Sequence, residues 1–370
     1  MFNINRTLNF SVNRNLCYVI FFIMVIGFKG FSQKKNDSIK KVNFAGIPII
    51  NYSNAIGLSA GVMGQMFYKV NAKDTISPTS STGVFGMYST NNTFFAAAFQ
   101  KLYLNEDRWR LMFGIGLGNI NYQYWQEIPT IGGDFIGFNT RAEFAMLKVE
   151  RKIIGKLYGG VRTVISTSKT DFDLPDFLPP ELLTDERRMN SLGYLFNYDE
   201  RDNQLNPYKG FNVEFKNDFF RTWLNSEDNF ESFELTYNHY YPLSSERKII
   251  ATRVQASIAT GDVPFQGQNV VGQDDIRGYS NGKYRDNQVY AIQSEYRWRF
   301  ENKFGMVGFF GLATAVENFA DLSNAEILPG GGVGIRYMMI PKERINIGID
   351  VAAGKDDWGL YFRIGESFGR

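Results

Sequence analysis

Few residues in this sequence have side chains that could carry chemistry, and their placement narrows what that chemistry can be. There is one histidine, His239, and one cysteine, Cys17. A zinc site draws on several such ligands, so no metal is expected. No cofactor is expected either. Gly330-Gly331-Gly332 lacks the Lys-Ser/Thr that completes a phosphate loop and reads as a close backbone approach or a bend in a strand. A Ser-His-Asp site would need His239, which falls in the apolar register beside Tyr237 and Tyr241, where an interfacial residue belongs. The chain is therefore expected not to be an enzyme. What remains is an arginine. Ile276-Arg277-Gly278-Tyr279 sits in a polar stretch, 261–286, between two alternating segments. A guanidinium leaving bulk water needs acceptors, and its planar fork pairs well with a carboxylate. The glycine permits a tight turn or a close backbone approach. Loops this long are usually functional or disordered, and this one reads as a loop with a fixed position.

The flanking segments say what holds it. Upstream, Val254, Ala256 and Ile258 alternate with Arg253, Gln255 and Ser257; downstream, Tyr290, Ile292, Tyr296 and Trp298 alternate with Ala291, Gln293, Glu295, Arg297 and Arg299. The same two-residue rhythm recurs along the chain. Phe211, Val213, Phe215 and Phe219 oppose Asn212, Glu214, Lys216 and Asp218, and Ile345, Ile347, Ile349 and Val351 oppose Arg344, Asn346, Gly348, Asp350 and Ala352. Strands are predicted over 43–52, 56–70, 81–90, 93–104, 108–122, 137–153, 156–168, 190–200, 210–222, 230–241, 247–260, 287–300, 304–316, 330–340, 344–354 and 358–368. That is about sixteen, an even number of the kind single-chain bacterial barrels have. Aromatics make up 16% of residues, and glycine 36 of 370. With a mean hydropathy of −0.25, this suits a membrane barrel whose lipid-facing aromatics alternate with small or polar lumen residues. No apolar run after residue 32 is long enough for a membrane helix. The expected fold is all-β: a single transmembrane antiparallel β-barrel.

Residues 1–32 read as a secretory signal: Arg6 and Arg14 precede an apolar core, Leu16 to Phe28, and Gly30-Phe31-Ser32 offers small residues for cleavage. Its loss removes Arg6, Arg14, Lys29 and Cys17, taking the formal charge from +2 to −1 and leaving no thiol. Residues 33–42 form a short polar leader and 43–370 the barrel domain. A charge this balanced gives no support to nucleic-acid binding. A second insertion, 169–189, with Asp171, Asp173, Asp176, Pro179, Pro180 and Asp185, matches no calcium-loop spacing and reads as a solvated loop.

Five stretches resemble the Omp85 superfamily, the BamA/TamA-like outer-membrane proteins also called bacterial surface antigens. Ile276-Arg277-Gly278-Tyr279 is similar to that family's arginine-glycine-aromatic loop motif. Tyr198-Asp199-Glu200-Arg201-Asp202-Asn203, followed by Pro207 and Gly210, resembles its aspartate-x-arginine-aspartate-asparagine turn. Glu295-Tyr296-Arg297 looks like the charged strand after the motif loop. Gly332 to Tyr337 and Tyr361 to Phe368 resemble the closing strands. The resemblance implies a sixteen-stranded barrel whose motif loop, extracellular in origin, folds into the lumen, where Arg277 meets carboxylates on the inner wall. Glu295, facing the same side as Gln293 and Arg297, is the best partner for it. The other reading of Arg277 is an exposed loop salt bridge, worth under about 1 kcal/mol. Where the family carries a second inward carboxylate, on the following strand, this sequence has Gly311. Asp199, Arg201, Asp202, Asn203 and Gly210 read as a polar network fixing strand register. Gly365 and Phe368 are assigned to the seam between the first and last strands, where glycine weakens pairing.

The function implied is insertion or translocation of proteins or of lipid at the Gram-negative outer membrane, with short turns in the periplasm. The chain is expected to belong to the branch without POTRA domains, so that a separate periplasmic chain would have to supply a client-docking surface. The partners expected are outer-membrane lipid and outer-membrane protein clients. The alternative is a passive, porin-like channel, for which the mixed lumen charges of Lys216, Glu214, Arg253, Glu295, Arg297 and Asp350 predict little ion selectivity.

Overall fold

The computed structural model describes residues 42–53, 56–128, 132–174, 183–272, 275–280 and 282–368. The expected signal segment, and the leader up to residue 41, lie outside them. The strands are β1 (Asn43–Ser53), β2 (Gly57–Tyr68), β3 (Ser80–Ser89), β4 (Phe94–Leu104), β5 (Trp109–Ile128), β6 (Gly132–Ile154), β7 (Leu157–Phe172), β8 (Thr184–Asp199), β9 (Gly210–Phe220), β10 (Phe230–Ser245), β11 (Lys248–Gly261), β12 (Asn269–Val270), β13 (Arg285–Asp286), β14 (Gln288–Trp298), β15 (Phe304–Val316), β16 (Leu328–Ile340), β17 (Ile345–Gly354) and β18 (Asp357–Ile364). All but β12 and β13 form one antiparallel barrel in which each strand pairs with its neighbours in sequence, β11 pairs with β14 across the inserted loop, and β18 meets β1. Sixteen barrel strands are thus present among the described residues, as the alternation predicts.

The dyad pattern maps onto two environments. On β14, Gln293 and Glu295 are each 1% exposed, whereas Ile292, Tyr296 and Trp298 on either side of them are 39–45% exposed. Exposed apolar side chains on the outer face and buried polar ones within are the reverse of a soluble sandwich and the expected partition for a barrel in lipid. His239 is on the outer face, its ring stacked on that of Tyr237.

Several strands end elsewhere than expected, four of them for one physical reason. β5 and β6 are 20 and 23 residues long, far more than the roughly 9–11 needed to cross the hydrocarbon. Their ends lie beyond that length, where apolar and polar residues no longer alternate and the sequence does not mark a strand. For the same reason β7 and β8 run into the acidic insertion, so that Asp171 pairs with Thr184 and Thr170 with Asp185 in the ladder. The insertion shrinks to 173–183, of which Asp176, Pro179 and Pro180 lie outside the described residues. Finally, β18 stops at Ile364 rather than reaching 368.

The joint between β1 and β18 is unlike the others. Neighbouring strands elsewhere share eight or more paired positions, as β17 and β18 do. Between β1 and β18 the described residues share one, Ser53 opposite Gly359. Toward the end of the barrel where β1 begins and β18 stops (the terminal end), side chains replace the ladder. Ala45 and Ile47, in the inward register of β1, meet Ile345, Ile347 and Ile364, in the outward register of β17 and β18, in one apolar cluster. The inner face of β1 therefore lies over the outer face of β17–β18, and the two edges overlap instead of abutting.

Ile335, midway along β16 and 64% exposed, tests the facing assignment. Ile335→Arg is expected to lower the unfolding free energy in lipid by about 2–4 kcal/mol, the cost of a charge near the bilayer midplane. Urea titration of the vesicle-inserted barrel measures this, and an unchanged midpoint would contradict the assignment.

Candidate functional site

Loop 261–286 leaves the wall after β11, is pinched at its neck by the short β12–β13 ladder, and carries its tip into the lumen. Ile276, Arg277 and Tyr279 are all at most 3% exposed. The Arg277 guanidinium is held on three sides: Nε donates to Gln293 Oε1 at 2.8 Å, Nη1 to Asp350 Oδ2 at 2.7 Å and Nη2 to Glu295 Oε2 at 2.7 Å. Its flat face lies 3.4 Å from the centroid of the Phe309 ring, a cation–π contact strengthened by exclusion of water.

The tip is fixed on either side of the arginine. The Gly278 N–H donates to Tyr361 Oη at 3.0 Å. Its φ of +111° and the Ala353 carbonyl, 2.7 Å from where a Cβ would stand, require glycine. Tyr279 Oη donates to the Pro329 carbonyl and accepts from Lys355 N–H. Its ring packs with Val271, Ile276, Val289, Ala313 and Leu328. Ser280 N–H donates to Asp357 Oδ2 at 2.6 Å. Across from it, Gly330 leaves room for the Arg277 carbonyl, which a Cβ there would meet at 2.6 Å.

Two carboxylates therefore clamp Arg277, but the second is not on β15. Gly311 stands opposite Gln293 on that strand, and Asp350, two strands further on, fills the role. Asp350 is opposite Gly334, whose missing side chain leaves its carboxylate space. It also receives Arg336, and Arg363 at 3.0 Å. Glu295 receives Arg297 as well, and Glu366 receives Arg336 at 2.9 Å and Asn346 Nδ2 at 2.6 Å. Four arginines and three carboxylates make a continuous buried network across β14, β16, β17, β18 and the C-terminal segment. The alternation put Asp350 on the lumen face without pointing to Arg277. Arg336, Arg363 and Glu366 lay within the closing stretches with no role assigned. Register within one strand is legible in sequence, whereas the distance across a lumen is not.

The second expected constellation lies at the barrel's terminal end. Asp199 accepts Arg201 Nε at 2.8 Å, Arg110 Nη1 at 3.1 Å and Gln204 Nε2 at 3.1 Å. Burial opposes the charge of Arg201, but the facing Asp199 carboxylate more than offsets this and holds the guanidinium above its ordinary range. Asp202 Oδ1 accepts the N–H groups of Tyr208 and Lys209, and Asn203 Oδ1 those of Leu205 and Asn206. Gly210, at φ +97°, closes the turn. These contacts do more than set register, because they fold residues 200–209 across the mouth. Arg299 Nη1 donates to Tyr208 Oη at 2.8 Å, and Arg297 Nη1 reaches the Pro207 carbonyl at 3.5 Å, which joins this turn to the Arg277 network.

Phe368 is not at the seam. Gly365 takes φ +90° while its N–H still donates to Asn346 O at 2.7 Å, and the chain turns inward. Phe368, fully buried, packs with Tyr208, Tyr240, Ile249 and Ala251. Its carbonyl accepts the Tyr240 hydroxyl, and its ring lies 5.0 Å from the Arg253 guanidinium. An apolar residue at this position is consistent with a strand end, but the positive φ at Gly365 redirects it.

Removing one partner of a buried ion pair costs about 3–5 kcal/mol when the other is left alone. Asp350 answers three arginines and Glu295 two. Asp350→Asn is therefore expected to destabilise more than Glu295→Gln, by at least about 1 kcal/mol, in urea unfolding from vesicles. Equal losses would remove Asp350 from the centre of the network.

The fold has counterparts among solved structures. BamA from Haemophilus ducreyi lacking POTRA domains 1–3 superposes with a TM-score of 0.56 at 13% identity, over 89% of this chain and 71% of that one. CdiB from Acinetobacter baumannii gives 0.54 at 14%, over 89% and 60%, and CdiB from Escherichia coli 0.56 at 10%, over 86% and 62%. This chain thus spans somewhat under two thirds of either CdiB. No curated protein matches it. Residues 70–368, from the start of the β2–β3 turn to the buried Phe368, match the Omp85 superfamily domain, and the chain belongs to the Omp85 superfamily.

Proposed function

We propose that this chain is an outer-membrane barrel without enzymatic activity that inserts or translocates other proteins, or lipid, by way of the β1–β18 seam, with loop 261–286 as its resident plug. The single observation that carries the reading is the seam itself. Among the described residues one backbone pair joins the two edges, and below it β1 overlaps β18 through apolar side chains. An antiparallel ladder must be broken bond by bond within lipid, where unsatisfied backbone groups cost several kcal/mol each. An overlapped apolar joint can slide with far less loss. The β1 edge is then free to pair with a strand from a client, as exposed edges do. The periplasm would lie at the terminal end, with the long loops outside.

A passive channel draws less support. The Arg277 tip fills the lumen and the 200–209 turn crosses its mouth. In planar bilayers the wild-type barrel is expected to be nearly silent and Arg277→Ala to show open events. A large steady conductance from the wild type would favour the channel.

Ser53 and Gly359 are directly opposed, and paired positions in a sheet lie within disulfide reach. Ser53→Cys with Gly359→Cys is expected, once oxidised, to leave a folded barrel that no longer complements a deletion strain, with activity restored by reductant. Full complementation by the oxidised form would refute the seam as the working element.

A further inference from the structure

The terminal end holds a second feature, which borders the plug's network and shares Arg297, Arg336 and Glu366 with it. A cleft with about 40 Å³ of free space opens beneath β11, β14, β15 and β16, room for a group of a few heavy atoms. Its lumen side is formed by Arg297, Arg299 and Arg336, its rim by Arg247 and Lys303, and it is bordered by Trp298 and Met306 from the lipid register. Two carboxylates, Glu246 and Glu366, also line it, leaving a net charge of +3. Glu366 is already engaged by Arg336 and Asn346.

Arg247, Arg299 and Lys303 take part in no ion pair among the described residues. Arg247 donates to Asn302 Oδ1, Arg299 to Tyr208 Oη, and Lys303 stands 6.0 Å from the centroid of the Tyr337 ring. Among the described residues, two buried guanidinium nitrogens of cleft-lining side chains, Arg297 Nη2 and Arg299 Nε, have no acceptor. The Arg297 side chain is only 8% exposed. Buried N–H donors without acceptors are costly, and several beside unpaired cations make a receptor for an oxyanion.

The surroundings indicate which oxyanion. Immediately outside the cleft, Trp298 and Phe300 pack edge to face at 5.8 Å, and the rings of Phe304 and Tyr337 are tilted against each other at 5.2 Å. Trp298, Phe300, Phe304 and Met306 are all at least 40% exposed. Aromatic girdles of this kind mark the headgroup level of a bilayer. A group held between Arg247, Arg299 and Lys303 would thus sit where lipid phosphates lie, with acyl chains against Trp298 and Met306.

We propose that this cleft binds the phosphate of an anionic phospholipid headgroup. The site rests on the chain's being a membrane barrel, but not on its handling of clients, so it stands or falls separately from the seam. The test is native mass spectrometry of the full barrel released from phosphatidylcholine nanodiscs containing a minority of phosphatidylglycerol. The wild type is expected to retain phosphatidylglycerol preferentially. The exposed rim variants Arg247→Gln and Lys303→Gln should each weaken retention roughly fivefold, the effect of one basic side chain near an anionic surface. Arg188→Gln and Lys355→Gln, which remove equal charge from exposed side chains at the opposite end, should change nothing. Trp298→Ala should lower lipid retention while leaving the weak competition by inorganic phosphate intact. Rim variants that retain phosphatidylglycerol like the wild type would overturn the proposal. So would inorganic phosphate that binds as tightly as the lipid, since the acyl chains would then contribute nothing and the cleft would be a free-phosphate site.

Discussion

A guanidinium cannot leave water unpaired, and burial of Arg277 organises much of this barrel's C-terminal half. Its three acceptors come from two strands that are not neighbours, β14 and β17. The wall between them must therefore be thin, and the inward positions that would obstruct the loop or crowd the clamp are glycine: Gly330 against the Arg277 carbonyl and Gly334 against Asp350. The carboxylates in turn are too deeply buried to serve one arginine alone. Arg297, Arg336 and Arg363 spread the charge through a shared network. Such a network contributes less net stability than its number of contacts suggests, because each ion has been desolvated. What it secures is position: one loop conformation satisfies all the acceptors at once.

Much of this was legible in the sequence, and the part that was not fails for a common reason. A two-residue rhythm is a local property, so strand number, facing and the lumen placement of Glu295, Arg297 and Asp350 could be read directly. The ends of β5 to β8 could not, because beyond the length that crosses lipid apolar and polar residues no longer alternate. Asp350 as partner of Arg277 could not, because the gap across a lumen depends on how far the barrel has turned between β14 and β17. Phe368 was misplaced because a single glycine torsion, at Gly365, decides whether the last residues continue a strand or enter the lumen. The turn at 199–210 was recognised as polar, but its reach to Arg297 and Arg299 is a tertiary fact.

The same contacts divide the seam into unequal halves. The loop tip is bonded to five consecutive strands: to β14 through Gln293 and Glu295, β15 through Phe309, β16 through Pro329, β17 through Asp350, and β18 through Tyr361 and Asp357. The C-terminal segment beyond β18 is anchored as well, by Glu366 to Arg336 and by Phe368 to Tyr240. The first strand, β1, is held by its full ladder to β2 and by the apolar overlap. Plug and C-terminal edge are thus bonded to one another at many points. Separating the edges need not disturb the Arg277 network, because the bonds that would resist motion of β18 are not the ones lost when β1 moves. In a barrel working through its seam, that asymmetry lets the lumen stay corked against solutes while the wall opens toward lipid.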